Sequence, residues 1–112
     1  MRLKSEIWVK ALLRRATGAG APGVVVHRGD ADAGSILVII VRLDGTVDLY
    51  GPAPAGLATD DGERRFECLA SRKPEAEVAE RILRERRLDS DIWAIEIEDR
   101  DGRHFLDGWL AA

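Results

Sequence analysis

A chain of 112 residues that is 46% hydrophobic and 33% charged can bury one core and lies far from the composition of a disordered chain. Its net charge of −3 gives no general affinity for nucleic-acid phosphates, and a single cysteine, Cys68, excludes an intramolecular disulfide. No apolar stretch approaches the ~18 residues of a membrane span, and Ile7 to Leu13, interrupted by Lys10 and followed by Arg14 and Arg15, lacks the apolar core of a signal peptide. The expectation is one α+β domain over residues 1–112, in the cytoplasm, without a nucleic-acid or membrane partner.

Ser5 is placed to cap a first helix. Glu6 favours its positive end, and apolar residues follow at 8, 9, 12, 13 and 16. Arg14 and Arg15 complement the macrodipole in the last turn, and Gly18 and Gly20 supply a left-handed stop. Strand one is expected over Val24 to Arg28, a polar turn over Gly29 to Gly34, and strand two over Ser35 to Arg42. Within strand two, Ile36 to Val41 is apolar throughout, which marks a central strand covered on both faces. Asp44-Gly45 then reads as a tight type I′ turn into strand three, Thr46 to Tyr50, completing a meander. In strand three Val47 and Leu49 face away from Asp48 and Tyr50, as in a half-exposed strand nearer an edge.

Gly51 to Gly62, rich in glycine and proline, is the longest expected loop. Strand four is expected over Arg65 to Ala70, with Phe66, Cys68 and Ala70 on one face and the thiol buried and inert. Pro74 opens a second helix reaching about Arg87, with an apolar stripe at Val78, Ala79, Ile82 and Leu83. The last long strand, Ile92 to Asp99, alternates most clearly: Trp93, Ile95 and Ile97 face one way, Ala94, Glu96 and Glu98 the other. Asp101-Gly102 closes a hairpin into a short strand, Arg103 to Leu106, with Trp109 and Leu110 tucked against the body. The order α-β-β-β-β-α-β plus a short C-terminal strand specifies an α+β fold: a mainly antiparallel sheet of about five strands with two helices.

Chemistry is sparse. Glu96 and Glu98 share a strand face with Cα atoms about 6.6 Å apart, a spacing open to a divalent cation or an acid/base pair, but a solvated or salt-bridged face gives the same pattern and is the better reading, ahead of a partner surface. Asp99-Arg100-Asp101-Gly102 resembles part of a calcium loop, but Ile97 and Gly108 stand where further ligands are needed, so a turn is the better reading and no metal is expected. His27 and His104 have no spacing relation to Cys68, Ser35 or Ser71, and neither a phosphate loop nor a zinc spacing occurs. Arginines 81, 84, 86 and 87 end the second helix as glutamates 75, 77 and 80 begin it, which suits its macrodipole. If the last strand pairs beside strand one, Arg28, Asp30, Glu96, Glu98 and Arg100 fall on one polar surface, the candidate functional surface of the chain.

Arg2-Leu3, Trp8-Val9, Ala11 to Arg15, Arg28-Gly29-Asp30, Gly34, Tyr50-Gly51-Pro52 and above all Ile92 to Arg100 with Gly102-Arg103 and Phe105 resemble a family of short bacterial proteins, domain of unknown function number 1491. The resemblance covers nearly the whole chain. It implies a stand-alone cytosolic protein and brings no activity, cofactor or catalytic residue. The functional expectation is a non-enzymatic protein-interaction or homodimerising module without a cofactor. The alternative is a small-molecule or metal-binding protein, or an enzyme, that uses the acidic face of the last long strand with His27 or Tyr50 nearby and the Gly51 to Gly62 loop as a lid.

Overall fold

The structure, a computed structural model, describes residues 2–54 and 62–111. The elements are α1 (Ser5–Gly18), β1 (Gly23–His27), β2 (Ile36–Val41), β3 (Thr46–Pro52), β4 (Phe66–Pro74), α2 (Glu75–Leu88) and β5 (Trp93–Glu98). Among the described residues they form one five-stranded sheet in the order β1-β5-β2-β3-β4. Two helices and a mostly antiparallel sheet in this chain order are the expected α+β class.

The apolar run of β2 does occupy the centre of the sheet, with Ile36, Val38 and Ile40 on one face and Leu37 and Ile39 on the other. On the first face α1 buries Trp8, Val9, Leu12 and Ala16 against β2 and β5, where Trp93, Ile95 and Ile97 meet them. On the second, Val78 of α2 packs on Leu37, Ile39, Val47, Leu49, Ile92 and Ala94. Period-two alternation in β5 and period-3.6 stripes in the helices account for this division.

Strand pairing differs from a meander. β5 lies between β1 and β2, antiparallel to β1 and parallel to β2, so strands one and two are not neighbours. Local alternation says which face a residue takes but not which strand lies beside it. The turn after β2 is also not type I′: left-handed conformations fall at Leu43 (φ 66°) and Gly45 (φ 88°) rather than on adjacent Asp44 and Gly45.

Four further expectations are corrected. Arg103 to Leu106 is not a strand; the chain turns through Gly102 and Phe105, and Leu110 instead bridges Phe66 in parallel, with Trp109 packed edge-on to Trp8. Ser5 does not cap α1 with its side chain but lies buried in the first turn, where its Oγ donates to the Gly34 carbonyl (2.6 Å) and accepts from Arg64 (3.0 Å). The first amides of α1, those of Ser5 and Glu6, donate instead to the carbonyls of Asp32 and Ala31. Cys68 is exposed: it keeps the face of Phe66, but β4 is an edge strand at the far side of the sheet from β1 and β5, which α1 covers. Gly51 and Pro52 belong to β3, and residues 55–61 of the expected loop lie outside the described residues.

Nor is β3 half-exposed. Asp48 is 2% exposed, and its carboxylate accepts from Arg42 Nε (2.9 Å) and Nη2 (2.8 Å) and from the Arg72 amide (2.8 Å). Arg42 is itself only 13% exposed. Replacing Arg42 by Met removes the cation and leaves a buried carboxylate uncompensated, a loss of roughly 3–5 kcal/mol. Urea unfolding of Arg42→Met should show that loss, and the double variant Arg42→Met/Asp48→Leu should recover part of it.

Candidate functional site

The five charged residues singled out by sequence do not form one surface. β5 does pair beside β1, but the strands run in opposite directions, with Val24 opposite Glu96 and His27 opposite Ala94. Arg28 and Asp30 therefore lie beside Trp93, and Glu96 and Glu98 lie at the other end of β5. Four residues of strand, about 13 Å, separate Arg28 from the level of Glu96. Arg28 bonds Glu6 of α1 at 2.8 Å and stacks over the Trp93 ring, on the face opposite Glu96. That contact, first by hydrogen bond and then by charge, holds the Glu6 carboxyl below its usual range.

Asp30 builds the turn before β2. Its Oδ2 accepts from the amides of Asp32 and Ala33, its amide donates to Asp91, and its carbonyl accepts the Trp93 indole proton at 2.7 Å. Since that turn offers Ala31 and Asp32 carbonyls to the start of α1, Asp30 acts in the fold. Arg100 is exposed just beyond β5. Among the described residues no ion pair joins Arg28 or Asp30 to Glu96, Glu98 or Arg100.

What the structure does create around Glu96 is a groove. Five strands at about 4.8 Å spacing span about 19 Å, whereas one helix covers 10–12 Å. α1 packs over β1 and β5, and the C-terminal segment with Phe105, Leu106 and Trp109 completes that face. On the opposite face α2 packs over β3 and β4. The β1–β5 half of its face is left open, and Val24 and Val26 are 55% and 53% exposed there.

Between α2 and this open half runs a groove of about 330 Å³. It is lined by Val26, Ala94 and Glu96 from the sheet and by Ala79, Leu83 and Arg86 from the helix, among others. Leu83 is 46% exposed on the groove wall. Glu96 is half-buried and has no hydrogen bond or ion pair among the described residues. Burial raises its pKa, and the neighbouring carboxylates of Glu75 and Glu98 raise it further. Arg86, at the groove's other end, has a buried Nε without a partner.

Sequence reading missed the groove and Arg86. It took Val78, Ala79, Ile82 and Leu83 for one packing stripe, although the count of one helix against five strands carried the signal. The other titratable candidates lie elsewhere. Tyr50 is on the α1 side, its ring 5.2 Å from that of His104, so it is not beside Glu96. Burial, then charge from Cys68, raises the Tyr50 pKa. His104 Nδ1 accepts the Leu106 amide, and the Cys68 thiol donates to the Ala70 carbonyl. Among the described residues no group of three His, Cys, Asp or Glu side chains is arranged to hold a metal ion. No helix there is long and apolar enough to cross a membrane.

The model of the family described as protein of unknown function (DUF1491) matches residues 3–107. This chain belongs to the DUF1491 family. The crystal structure of a DUF1491 protein from Caulobacter crescentus CB15 is similar over 100% of both chains, with 40% identity and a TM-score of 0.82. The NMR structure of a DUF1491 protein from the same bacterium gives 42% identity and 0.80 over 100% of this chain and 99% of that one. The solution structure of protein Atu0922 from A. tumefaciens gives 46% and 0.78, covering 88% of this chain and 87% of that one. No curated protein matches. DUF1491 membership thus carries the architecture and no activity, and the groove has to be read from its own chemistry.

The raised pKa of Glu96 has a defined sign. The folded chain holds the proton more tightly than the unfolded one, whose carboxyl titrates near 4.5. This contribution to stability is full below that pH and is lost as pH rises through the folded value. In dilute, monomeric protein Glu96→Gln should therefore be more thermostable than wild type at pH 7, and the gap should close as pH falls below 4.5. Melting curves across that range check it.

Proposed function

We propose that this DUF1491 protein is a non-enzymatic protein-interaction module whose docking surface is the open β1–β5 half of the sheet together with the Ala79–Leu83 edge of α2. The observation that carries the reading is the groove itself: exposed Val26 on one wall, exposed Leu83 on the other, and an unpartnered carboxylate and guanidinium at its two ends. A contiguous apolar patch rimmed by charge marks a surface that gains by being covered. The unpaired edge of β1 lies alongside and offers backbone donors and acceptors to the same partner.

The test is native mass spectrometry of protein purified gently from its own cells, wild type beside Leu83→Glu. Leu83 is half out of the core, so the substitution should leave the circular dichroism spectrum unchanged. The expected result is a stoichiometric complex of two or more chains that Leu83→Glu reduces to a single chain. A wild-type protein that is already a single chain overturns the reading. If that chain also carries a small molecule whose mass is lost in Glu96→Gln, the groove is a ligand pocket.

A further inference from the structure

On the side turned to the groove, α2 presents Glu75, then Ala79, Ile82 and Leu83, then Arg86. An acidic end and a basic end stand about 16 Å apart, at 1.5 Å rise per residue, across an apolar centre. The rest of the helix follows this polarity in the main, with Glu77, Glu80 and Arg81 in its first half and Arg84, Glu85 and Arg87 in its second, so that the first turn is acidic and the last basic. The sheet deepens the acidic end, because Glu96 lines the same groove as Glu75, whose charge helps to raise the Glu96 pKa, and exposed Glu98 shares its strand face. Neither Glu96 nor Arg86 is neutralised within the chain: among the described residues neither has an ion-pair partner, and Arg86 Nε is buried.

Such a surface is its own complement under a two-fold axis. Laid antiparallel, the basic end of one helix meets the acidic end of the other at both ends of the contact, and the apolar centres coincide. Laid parallel, like charges meet. Isologous dimers require this self-complementarity, and the uncovered strip beside α2, about 7–9 Å across, is narrower than a whole helix but takes the apolar edge of one.

We propose that the groove is filled by a second copy of this chain. Its α2 lies antiparallel to the first, Leu83 of each copy packs into the groove of the other, and Arg86 of each copy pairs with Glu75 and Glu96 of its mate. The proposal rests on the interaction-module reading and adds the identity and direction of the partner. It explains why the two unpartnered charges of the groove have opposite sign and stand at opposite ends. It also gives Val24 and Val26 cover from the mate's helix.

The experiment is sedimentation equilibrium on Glu75→Lys and Arg86→Glu, each alone and mixed in equal amounts, with circular dichroism as the folding control. If Glu75→Lys disturbs the helix start, Glu98→Lys at the same acidic end takes its place. Each variant alone places like charges together at both ends of the contact and should weaken the dimer roughly tenfold or more. In the mixed dimer one end regains its native pair and the other a reversed pair, so association should return on mixing. A variant that dimerises alone as wild type does, or a mixture that stays monomeric, overturns the arrangement. If Leu83→Glu still abolishes association in that case, only the antiparallel second copy fails. If Leu83→Glu has no effect on association, the interaction reading fails with it.

Discussion

The parallel pairing of β2 with β5, from Ile36 opposite Trp93 to Val41 opposite Glu98, is the contact on which the rest of the fold depends. Both strands are apolar on the α1 face, so their contact forms the centre of the larger core. The pairing also fixes where the helices stand. β3 is antiparallel to both β2 and β4, so β4 runs in the same direction as β5, and α2 must carry the chain back across the sheet between them. A crossover that begins at the β4 edge lies over β3 and β4. The open half-face beside β1 is thus a consequence of topology, and any single helix in this connection leaves it.

The start of β5 is held in a backbone-to-backbone fit. A Cβ on Gly29 or Gly34 would come within 2.1 Å and 2.3 Å of the Asp91 carbonyl, so neither position accepts a side chain without moving the strand. Trp93, buried at the first position of β5, ties its indole to the Asp30 carbonyl and takes the Arg28 guanidinium on its ring. The tripeptide Arg28-Gly29-Asp30 is therefore a clamp on the strand that organises the sheet. Its specified charges and glycine follow from that clamp, through the Asp30 turn and the Arg28 contacts.

How far the sequence discloses the fold depends on whether a feature is local. The central place of β2, the two faces of β5 and the helical stripes each follow from periodicity within a few residues, and each is found. The insertion of β5 between β1 and β2 is a long-range choice with no local mark. The exposure of Cys68 follows from the place of β4 at the sheet edge away from α1, which its own sequence neighbours do not mark. Asp48 sits between Val47 and Leu49, where alternation predicts exposure. Only the approach of Arg42 and of the Arg72 amide, at a left-handed residue (φ 51°), makes its burial tolerable. The groove was legible in part, as one helix set against five strands, and Glu96 was marked on its strand face, but its place opposite Arg86 in one groove was not. Glu96 and Arg86 are far apart in sequence, and each has an adequate local explanation.

The contrast among the carboxylates separates structure from function in this molecule. Asp48 and Asp99 are nearly inaccessible, yet both are saturated with donors. Asp99 takes the Arg103 amide and guanidinium, and these hydrogen bonds hold its pKa below the usual range. Glu96 is less buried and less well served, and its pKa moves the opposite way. A fold that satisfies its deepest carboxylates while leaving a shallower one partly desolvated among like charges keeps a standing electrostatic cost at neutral pH. Protonation relieves that cost in the free chain, and a cation brought by a bound surface relieves it in a complex. In the proposed complex the partner would supply that cation, and any surface that binds only the folded chain stabilises it by mass action.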